Sequence, residues 1–149
     1  MASNETVWFI TGCSTGFGRE LTRVLLKRGN SVVVTARNPA TLDEFSQHEN
    51  ALVVALDVTV ASQIADAVRL AEARFGHIDV LVNNAGYGYL SAIEEGEDAE
   101  VRAMFEANVF GLADMTKAVL PGMRKRRSGH IVNISSMAGL VGYPGIGYY

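Results

Sequence analysis

A glycine-rich segment near the start of the chain is the first candidate for chemistry. Residues 11–18 read T-G-C-S-T-G-F-G and lie between an apolar run and a stretch with helical spacing. Glycines at a strand-to-helix turn let the backbone approach a pyrophosphate, whose charge then lies at the helix N-terminus. A tight turn without a ligand is the alternative, but its position between strand and helix favours a phosphate site. The candidate cofactor-binding residues here are Gly12, Ser14, Thr15, Gly16, Phe17 and Gly18.

The end of the second apolar run indicates which dinucleotide this site takes. An NAD site usually has an acid about 20 residues after the glycines, where it binds the ribose 2′-hydroxyl. The chain reads T-A-R-N-P at residues 35–39 and has no carboxylate there. The planar guanidinium of Arg37 is suited to a 2′-phosphate, although a solvated surface arginine is the alternative. These residues favour NADP, and NAD is kept as a second candidate.

Two further strand ends carry polar residues. Asp57 and Val58 follow the third apolar run, and Asn83-Asn84-Ala85-Gly86 closes the fourth. Asparagine side chains satisfy backbone groups at strand ends, and glycine lets the chain pass close to a ligand.

These motifs resemble the short-chain dehydrogenase/reductase family along the whole 149 residues. The glycine spacing is similar to that family's T-G-x-x-x-G-x-G, and residues 83–86 are similar to its N-N-A-G. The resemblance implies that Asp57 and the Val58 backbone meet the adenine, with Asn83, Ala85 and Gly86 beside the cofactor. It counts against the extended relatives, the epimerases and dehydratases, because their glycine loop is spaced differently.

The resemblance also implies a catalytic set. Ser136, Tyr149 and Asn108 match the family's serine, tyrosine and helix asparagine. The serine would hold a carbonyl oxygen, the tyrosine would donate a proton, and the nicotinamide would supply the hydride. Ser135 and Tyr148 have the same spacing of thirteen, but the x-Ala-Gly after the second serine favours Ser136 and Tyr149. Adjacent strand residues point to opposite faces, so only one serine is expected to face the substrate.

A cation is expected to assist the tyrosine. A free phenol has a pKa near 10, which is too high for efficient proton exchange at neutral pH. The family uses a lysine four residues after the tyrosine, at what would be position 153. The natural chain is therefore expected to continue, and residues 1–149 alone are expected to be inactive. A non-catalytic dinucleotide-binding module or a truncated product is the rival hypothesis.

The elements that would position these residues follow from hydrophobic patterning. Apolar runs at residues 6–11, 31–35, 51–56, 80–83 and 130–135 alternate with helical stretches. Nearly continuous apolar runs are typical of parallel strands covered on both faces. The pattern predicts one α/β domain over residues 1–149, a doubly wound, Rossmann-like parallel sheet with five of a family total of seven strands. A long helix is expected over residues 97–127, with Pro121 kinking it or ending its regular part early.

The composition and net charge of the chain restrict the classes of binding partner that it is expected to have. The net charge of −3 gives no reason to expect nucleic acid or an anionic membrane. Cys13 is the single cysteine, which fits a reducing cytoplasm. The three histidines show no metal-ligand spacing, so no metal site is predicted. We expect a small carbonyl or alcohol substrate. An apolar character would explain a group of large side chains after the strand ends, and core packing explains them equally well: Tyr87, Tyr89, Leu140, Val141 and Tyr143. The resemblance implies a homodimer or homotetramer for the complete protein.

Overall fold

The computed structural model describes residues 6–149, and these form one parallel sheet with helices on both faces. The strand order is β3-β2-β1-β4-β5, and every neighbouring pair is parallel. The chain reverses its direction of travel across the sheet after β3, so β1 and β4 flank the switch point where ligands bind in such sheets. The predicted doubly wound fold is confirmed. The strands are β1 (Val7–Ile10), β2 (Ser31–Ala36), β3 (Ala51–Ala55), β4 (Val80–Asn83) and β5 (His130–Asn133).

The helices divide into two layers. They are α1 (Gly16–Lys27), α2 (Ala61–Phe75), α3 (Asp98–Phe105) and α4 (Leu112–Arg126), with a π-helical segment at Glu106–Gly111 between the last two. Short 3-10 helices lie at Pro39–Phe45, Ile93–Glu95 and Met137–Gly139. Within residues 6–149, no helix has the length and apolarity needed to cross a membrane.

The continuous apolar runs are explained by burial on both faces of the sheet. Phe9, Val33 and Leu81 point to the layer of α2 and α4. Their strand neighbours point to the opposite layer, where α1 and the first 3-10 helix cover them, as with Ile10 and Val34. Because each strand residue has a helix above or below it, alternation of apolar and polar residues is lost in the three central strands.

The outer strand β5 is covered on one face within residues 6–149. Ile131 packs against the α2 and α4 layer, but Val132 is 40% exposed. Ile134, one residue past the strand end, is 45% exposed. Among residues 6–149, β5 pairs only with β4, and α1 lies over β1 and β2 on the other side of the switch point. Residues 6–149 thus supply the cover for one face of β5, and the prediction of a second covered face concerns the complete protein.

The long predicted helix continues through its proline. Pro121 lies inside α4, which extends to Arg126, so the expectation of an early end is wrong. Val119 and Met123 on either side of Pro121 are buried against the core, and the Arg126 guanidinium donates to the Ile78 carbonyl. Tertiary packing of both halves compensates for the single backbone hydrogen bond that a proline cannot make.

Candidate active site

An open cleft of about 1420 Å³ lies at the carboxyl ends of the strands. It brings together segments that follow all five strands, as expected for a doubly wound sheet. Of the predicted site residues, Gly16 and Gly18 do not line it. The others do, namely Gly12, Ser14, Thr15, Phe17, Arg37, Asp57, Val58, Asn83, Ala85, Gly86, Asn108, Ser136 and Tyr149.

The glycine turn is shaped by close backbone packing. Gly12 has φ +73°, and a Cβ added there would lie 2.9 Å from the Cα of Ala85. A Cβ added at Gly18 would overlap the Gly12 carbonyl oxygen and lie 2.6 Å from Asn84 Nδ2. Gly16 has φ +58° with open space before it. Gly12 and Gly18 therefore allow close packing, and Gly16 meets a conformational demand of the turn.

The N-terminus of α1 offers an anion site. Thr15, its N-cap, makes no side-chain capping hydrogen bond, and the first turn has no acidic residue. Among residues 6–149, the backbone amides of Gly16, Phe17 and Gly18 make no hydrogen bond. Unpaired amides at the positive end of a helix fit a phosphate group, so the turn fits the pyrophosphate of a dinucleotide.

Hydrogen bonds between strand ends hold this turn in place. Thr11, only 1% exposed, accepts from the amides of Asn84 at 3.0 Å and Ala85 at 2.9 Å through Oγ1. The Asn84 side chain donates to the carbonyls of Thr11 and Gly12, both at 2.9 Å. The sequence analysis did not assign these two residues to the site. The signal was the threonine that begins the glycine motif and the second asparagine of residues 83–86.

Cys13 lies inside the turn without reactive character. It is fully buried, and its thiol donates to the Ile10 carbonyl at 3.3 Å. Burial raises the pKa of the Cys13 thiol, although hydrogen bonds from Thr22 and Thr35 oppose the shift. The protonated thiol therefore fills space in the core beneath the turn.

Charged side chains lie at the far end of the cleft. Arg37 follows β2, is exposed, and has no hydrogen bond or ion pair with any other residue of the range 6–149. Asp57 accepts from the amide and hydroxyl of Thr59 at 2.9 and 2.7 Å through Oδ1. Its own amide donates to Gln63 at 2.7 Å. Asp57 is thus held in a turn before α2, while the Arg37 guanidinium is available to an anionic ligand.

Asn108 lies in the π-helical segment and contacts the loop after β4. Its Oδ1 accepts from the Tyr87 amide at 3.0 Å, and its Nδ2 donates to the Tyr87 carbonyl at 2.8 Å. A Cβ added at Gly86 would lie 2.9 Å from that Oδ1, so Gly86 permits the contact. The Asn108 side chain is therefore occupied by backbone groups.

Asn83 is directed toward the α4 layer. It is 4% exposed, and its Nδ2 donates to Asn133 at 2.9 Å and to Thr116 at 3.2 Å. Its buried Oδ1 has no hydrogen-bond partner within residues 6–149. The side chain joins the ends of β4 and β5 and presents little surface to the cleft.

Both serines lie beyond the end of β5, and both line the cleft. The expectation that only one of them faces the substrate stays a prediction, but its physical basis does not hold. It relied on strand alternation, whereas the strand ends at Asn133 and a 3-10 helix begins at Met137. Ser136 is the N-cap of that helix, and its Oγ accepts from the Ala138 amide at 3.1 Å. Its hydroxyl proton stays free to be donated.

The two tyrosines differ in their surroundings. The Tyr148 hydroxyl donates to the Ile93 carbonyl at 2.5 Å. Tyr149 is 41% exposed, and its hydroxyl makes no hydrogen bond to residues 6–149. A Cβ added at Gly88 would meet the Tyr149 ring at 3.7 Å, so this ring lies over the loop after β4.

Within the part of the chain that the structure describes, no group of three His, Cys, Asp or Glu side chains is arranged to hold a metal ion. The chemistry that the cleft offers is that of hydroxyls, backbone amides and one free guanidinium.

The fold and the site define a family. The family model described as short chain dehydrogenase matches residues 6–149, and the chain belongs to that family.

Similar proteins agree with this assignment. The chain is 42% identical over 147 residues to "Oxidoreductase BOA17" of Botryotinia fuckeliana, covering 96% of this chain and 53% of the relative. It is 42% identical over 140 residues to a 3-ketodihydrosphingosine reductase of Bacteroides thetaiotaomicron, covering 94% and 50%. The chain thus spans about half the length of these relatives.

Solved structures of the same family superpose closely. A short-chain dehydrogenase from Streptomyces avermitilis has a TM-score of 0.91 and 41% identity, covering 97% of this chain and 54% of that one. The structure of ElxO with NADP bound has a TM-score of 0.89 and 32% identity, covering 95% and 60%.

Proposed function

We propose that this protein transfers a hydride between NADP(H) and a small carbonyl or alcohol substrate. The observation that carries the proposal is the cleft, which is continuous from Arg37, past the glycine turn, to Ser136 and Tyr149. Membership of an oxidoreductase family supports it. So does NADP in two similar structures, ElxO and a gluconate 5-dehydrogenase from Burkholderia cenocepacia.

Each part of the cofactor has a matching part of the cleft. The free amides at the start of α1 would bind the pyrophosphate, and Arg37 would pair with the 2′-phosphate of NADP. Asp57 and Val58 would meet the adenine, while Ala85 and Gly86 form the floor near the nicotinamide. NAD lacks the 2′-phosphate and would lose the Arg37 contact, so it is the weaker cofactor in this proposal.

The reaction assigns separate roles to two hydroxyls. When bound, the nicotinamide supplies or accepts the hydride. In reduction, the Ser136 hydroxyl donates a hydrogen bond to the substrate carbonyl oxygen, and the Tyr149 hydroxyl gives that oxygen its proton. In oxidation, Tyr149 takes the proton back. Asn108 holds the loop at Tyr87 and supports the floor of the cleft.

The substrate side of the cleft has an apolar border. Leu140 and Val141 are exposed beyond the last 3-10 helix, and Tyr87 lines the cleft. We therefore propose a substrate with an apolar portion. The proposal extends to a cytoplasmic protein, supported by its lone buried cysteine, and to a homodimer or homotetramer, supported by the family resemblance.

The test is a direct assay of the full-length protein. Its consumption of NADPH is followed with aliphatic and aromatic aldehydes and ketones, and products are identified by mass spectrometry. We expect reduction of at least one apolar carbonyl compound with NADPH preferred over NADH. Tight NADPH binding by a protein that reduces no carbonyl compound and oxidises no alcohol with NADP would favour the non-catalytic module.

The role of Arg37 is tested by Arg37→Ala. Loss of the charge-assisted contact to the 2′-phosphate should weaken NADPH binding by about 1.5–3 kcal/mol. That corresponds to roughly 10- to 150-fold in Kd, with NADH binding almost unchanged. Titration calorimetry with both cofactors gives the two Kd values.

Arg28→Ala is the matched control. Arg28 is an exposed arginine at the other end of α1, far from the glycine turn. It should leave both Kd values unchanged. An equal effect of Arg37→Ala on the NADPH and NADH Kd values would show that Arg37 is a solvated surface arginine that does not bind the 2′-phosphate.

A further inference from the structure

We infer that Tyr148 is a positioning residue for Tyr149, acting by fastening the segment before Tyr149 to the loop after β4. This inference rests on the proposed function, because it takes Tyr149 as the proton donor. It assigns a separate role to the neighbouring tyrosine, which lines the same cleft but whose hydroxyl is bound to the Ile93 carbonyl.

Three contacts join the two segments, and together we call them the Tyr148 contact. The Tyr148 hydroxyl donates to the Ile93 carbonyl at 2.5 Å. The Gly147 amide donates to the Ser91 carbonyl at 2.9 Å. The Tyr148 ring lies against Gly96, where an added Cβ would come within 2.9 Å of its Cζ. Gly147 and Tyr148 are therefore held by a side-chain hydrogen bond, a backbone hydrogen bond and a ring contact.

The glycines on both sides are required for this approach. A Cβ added at Gly147 would lie 2.8 Å from Ile93 Cδ1 and 3.1 Å from the Ile93 amide nitrogen. Neither position demands a left-handed backbone, since Gly96 has φ −71° and Gly147 has no positive φ. The space requirement explains glycine here, and the conformational freedom of glycine does not.

The receiving loop is itself fixed to the fold. The Glu97 amide donates to the Tyr89 hydroxyl at 2.9 Å, and the Tyr89 amide donates to the Met104 sulfur at 3.3 Å. Met104 is buried in α3. The chain of contacts thus runs from buried α3 through the loop at residues 89–97 to Tyr148.

The consequence falls on Tyr149. Its ring lies over Gly88, and the residue lines the cleft together with Tyr148. Beyond β5 the chain has only a 3-10 helix before this point, so strand pairing does not fix the position of Tyr149. On the side of the segment that precedes Tyr149, the Tyr148 contact supplies a restraint on where the Tyr149 hydroxyl lies relative to Ser136. Proton transfer depends on this geometry, and an error of about 1 Å can cost about 100-fold in rate.

The experiment compares single variants of the full-length protein with one double variant and with Tyr149→Phe. Tyr148→Ala removes ring and hydroxyl, Tyr148→Phe keeps the ring, and Gly96→Ala places a methyl group where the ring lies. Arg28→Ala is the control, because Arg28 is exposed at the C-terminal end of α1, away from the cleft. Each is assayed for kcat, KM, NADPH Kd, melting temperature and the deuterium isotope effect on hydride transfer.

We expect Tyr148→Ala and Gly96→Ala to lower kcat per NADPH-binding site by at least about tenfold, with the NADPH Kd changed less than about twofold. Tyr148→Phe should recover most of the loss, and Arg28→Ala should match the parent protein. Combining Tyr148→Ala with Gly96→Ala should cost no more than the larger single effect, because both remove the same contact.

Two results would overturn the inference. One is a loss of activity in Tyr148→Ala and Gly96→Ala that merely follows the folded fraction, with kcat per NADPH-binding site unchanged. The other is a loss in Tyr148→Phe as large as in Tyr149→Phe, which would make Tyr148 the proton donor. A Tyr149→Phe variant with full activity would instead reject the proposed function itself, so the two failures are distinguishable.

Discussion

Replacing Tyr149 with phenylalanine is expected to reduce kcat by about 10²- to 10⁴-fold, the range typical of a lost general acid. The change removes one oxygen from a half-exposed side chain whose hydroxyl has no protein partner among residues 6–149. No intramolecular hydrogen bond is lost, so the free energy of unfolding should change by less than about 0.5 kcal/mol, as for surface substitutions. The NADPH Kd should also stay within about twofold, since the hydroxyl acts on the substrate.

Steady-state kinetics together with NADPH titration and thermal melting measure all three quantities. Tyr148→Phe and Ser135→Ala are the register controls, and Ser136→Ala is the companion variant. Under the assignment to Ser136 and Tyr149, Ser136→Ala should be strongly impaired and Ser135→Ala much less. The opposite pattern, with Tyr148→Phe and Ser135→Ala inactive, would shift the catalytic pair by one residue.

The positions of the strand ends were predictable from the sequence, because strands buried on both faces are uninterrupted apolar runs. Phe9, Val33 and Leu81 face one helix layer while their neighbours face the other, and this double burial produces the uninterrupted apolar runs. Ligand-binding residues of a parallel sheet follow the carboxyl ends of such strands. Locating the runs therefore located the cleft, including Arg37 and Asp57, which are distant in sequence from the glycine turn.

Interactions between segments were not predictable in the same way. Thr11 and Asn84 hold the glycine turn through hydrogen bonds that exist only because β1 and β4 are neighbours in the sheet. Both residues belong to motifs that the sequence shows, but neither motif indicates that the two residues bind each other's backbone. The Tyr148 contact is of the same kind, since it joins residues more than 50 positions apart.

Local rules also failed where tertiary packing was stronger. Pro121 is a helix breaker by intrinsic preference, at a cost of about 3 kcal/mol in a helix interior. Val119 and Met123 bury their side chains on either side of it, and each such burial is worth about 1.5–3 kcal/mol. The packing of α4 against the core therefore offsets the proline, and the helix continues to Arg126.

The second large effect is expected at Gly18. It lies in the first turn of α1 without a positive φ, so backbone conformation alone would favour alanine by about 1 kcal/mol. The lack of space around Gly18 predicts instead that alanine destabilises the protein. An added Cβ would overlap the Gly12 carbonyl oxygen and lie 2.6 Å from Asn84 Nδ2.

These two atoms are hydrogen-bonded to each other at 2.9 Å, so neither can move without breaking the contact that holds the glycine turn. Gly18→Ala should therefore destabilise the protein by about 1–3 kcal/mol through overpacking. It should also weaken NADPH binding by roughly 10- to 100-fold, as the amides at the start of α1 shift from the pyrophosphate.

Gly29→Ala separates this steric effect from a general glycine effect. Gly29 follows the other end of α1, has φ +79°, and has no atom within 4 Å of an added Cβ. It should lose about 1–2 kcal/mol of stability through its left-handed backbone, while the NADPH Kd stays unchanged. Denaturant unfolding and NADPH titration on both variants give the comparison. A Gly18→Ala protein that is more stable than the parent and binds NADPH normally would show that the helix can move away from β4. The close approach of α1 to the glycine turn would then not be what positions the pyrophosphate site.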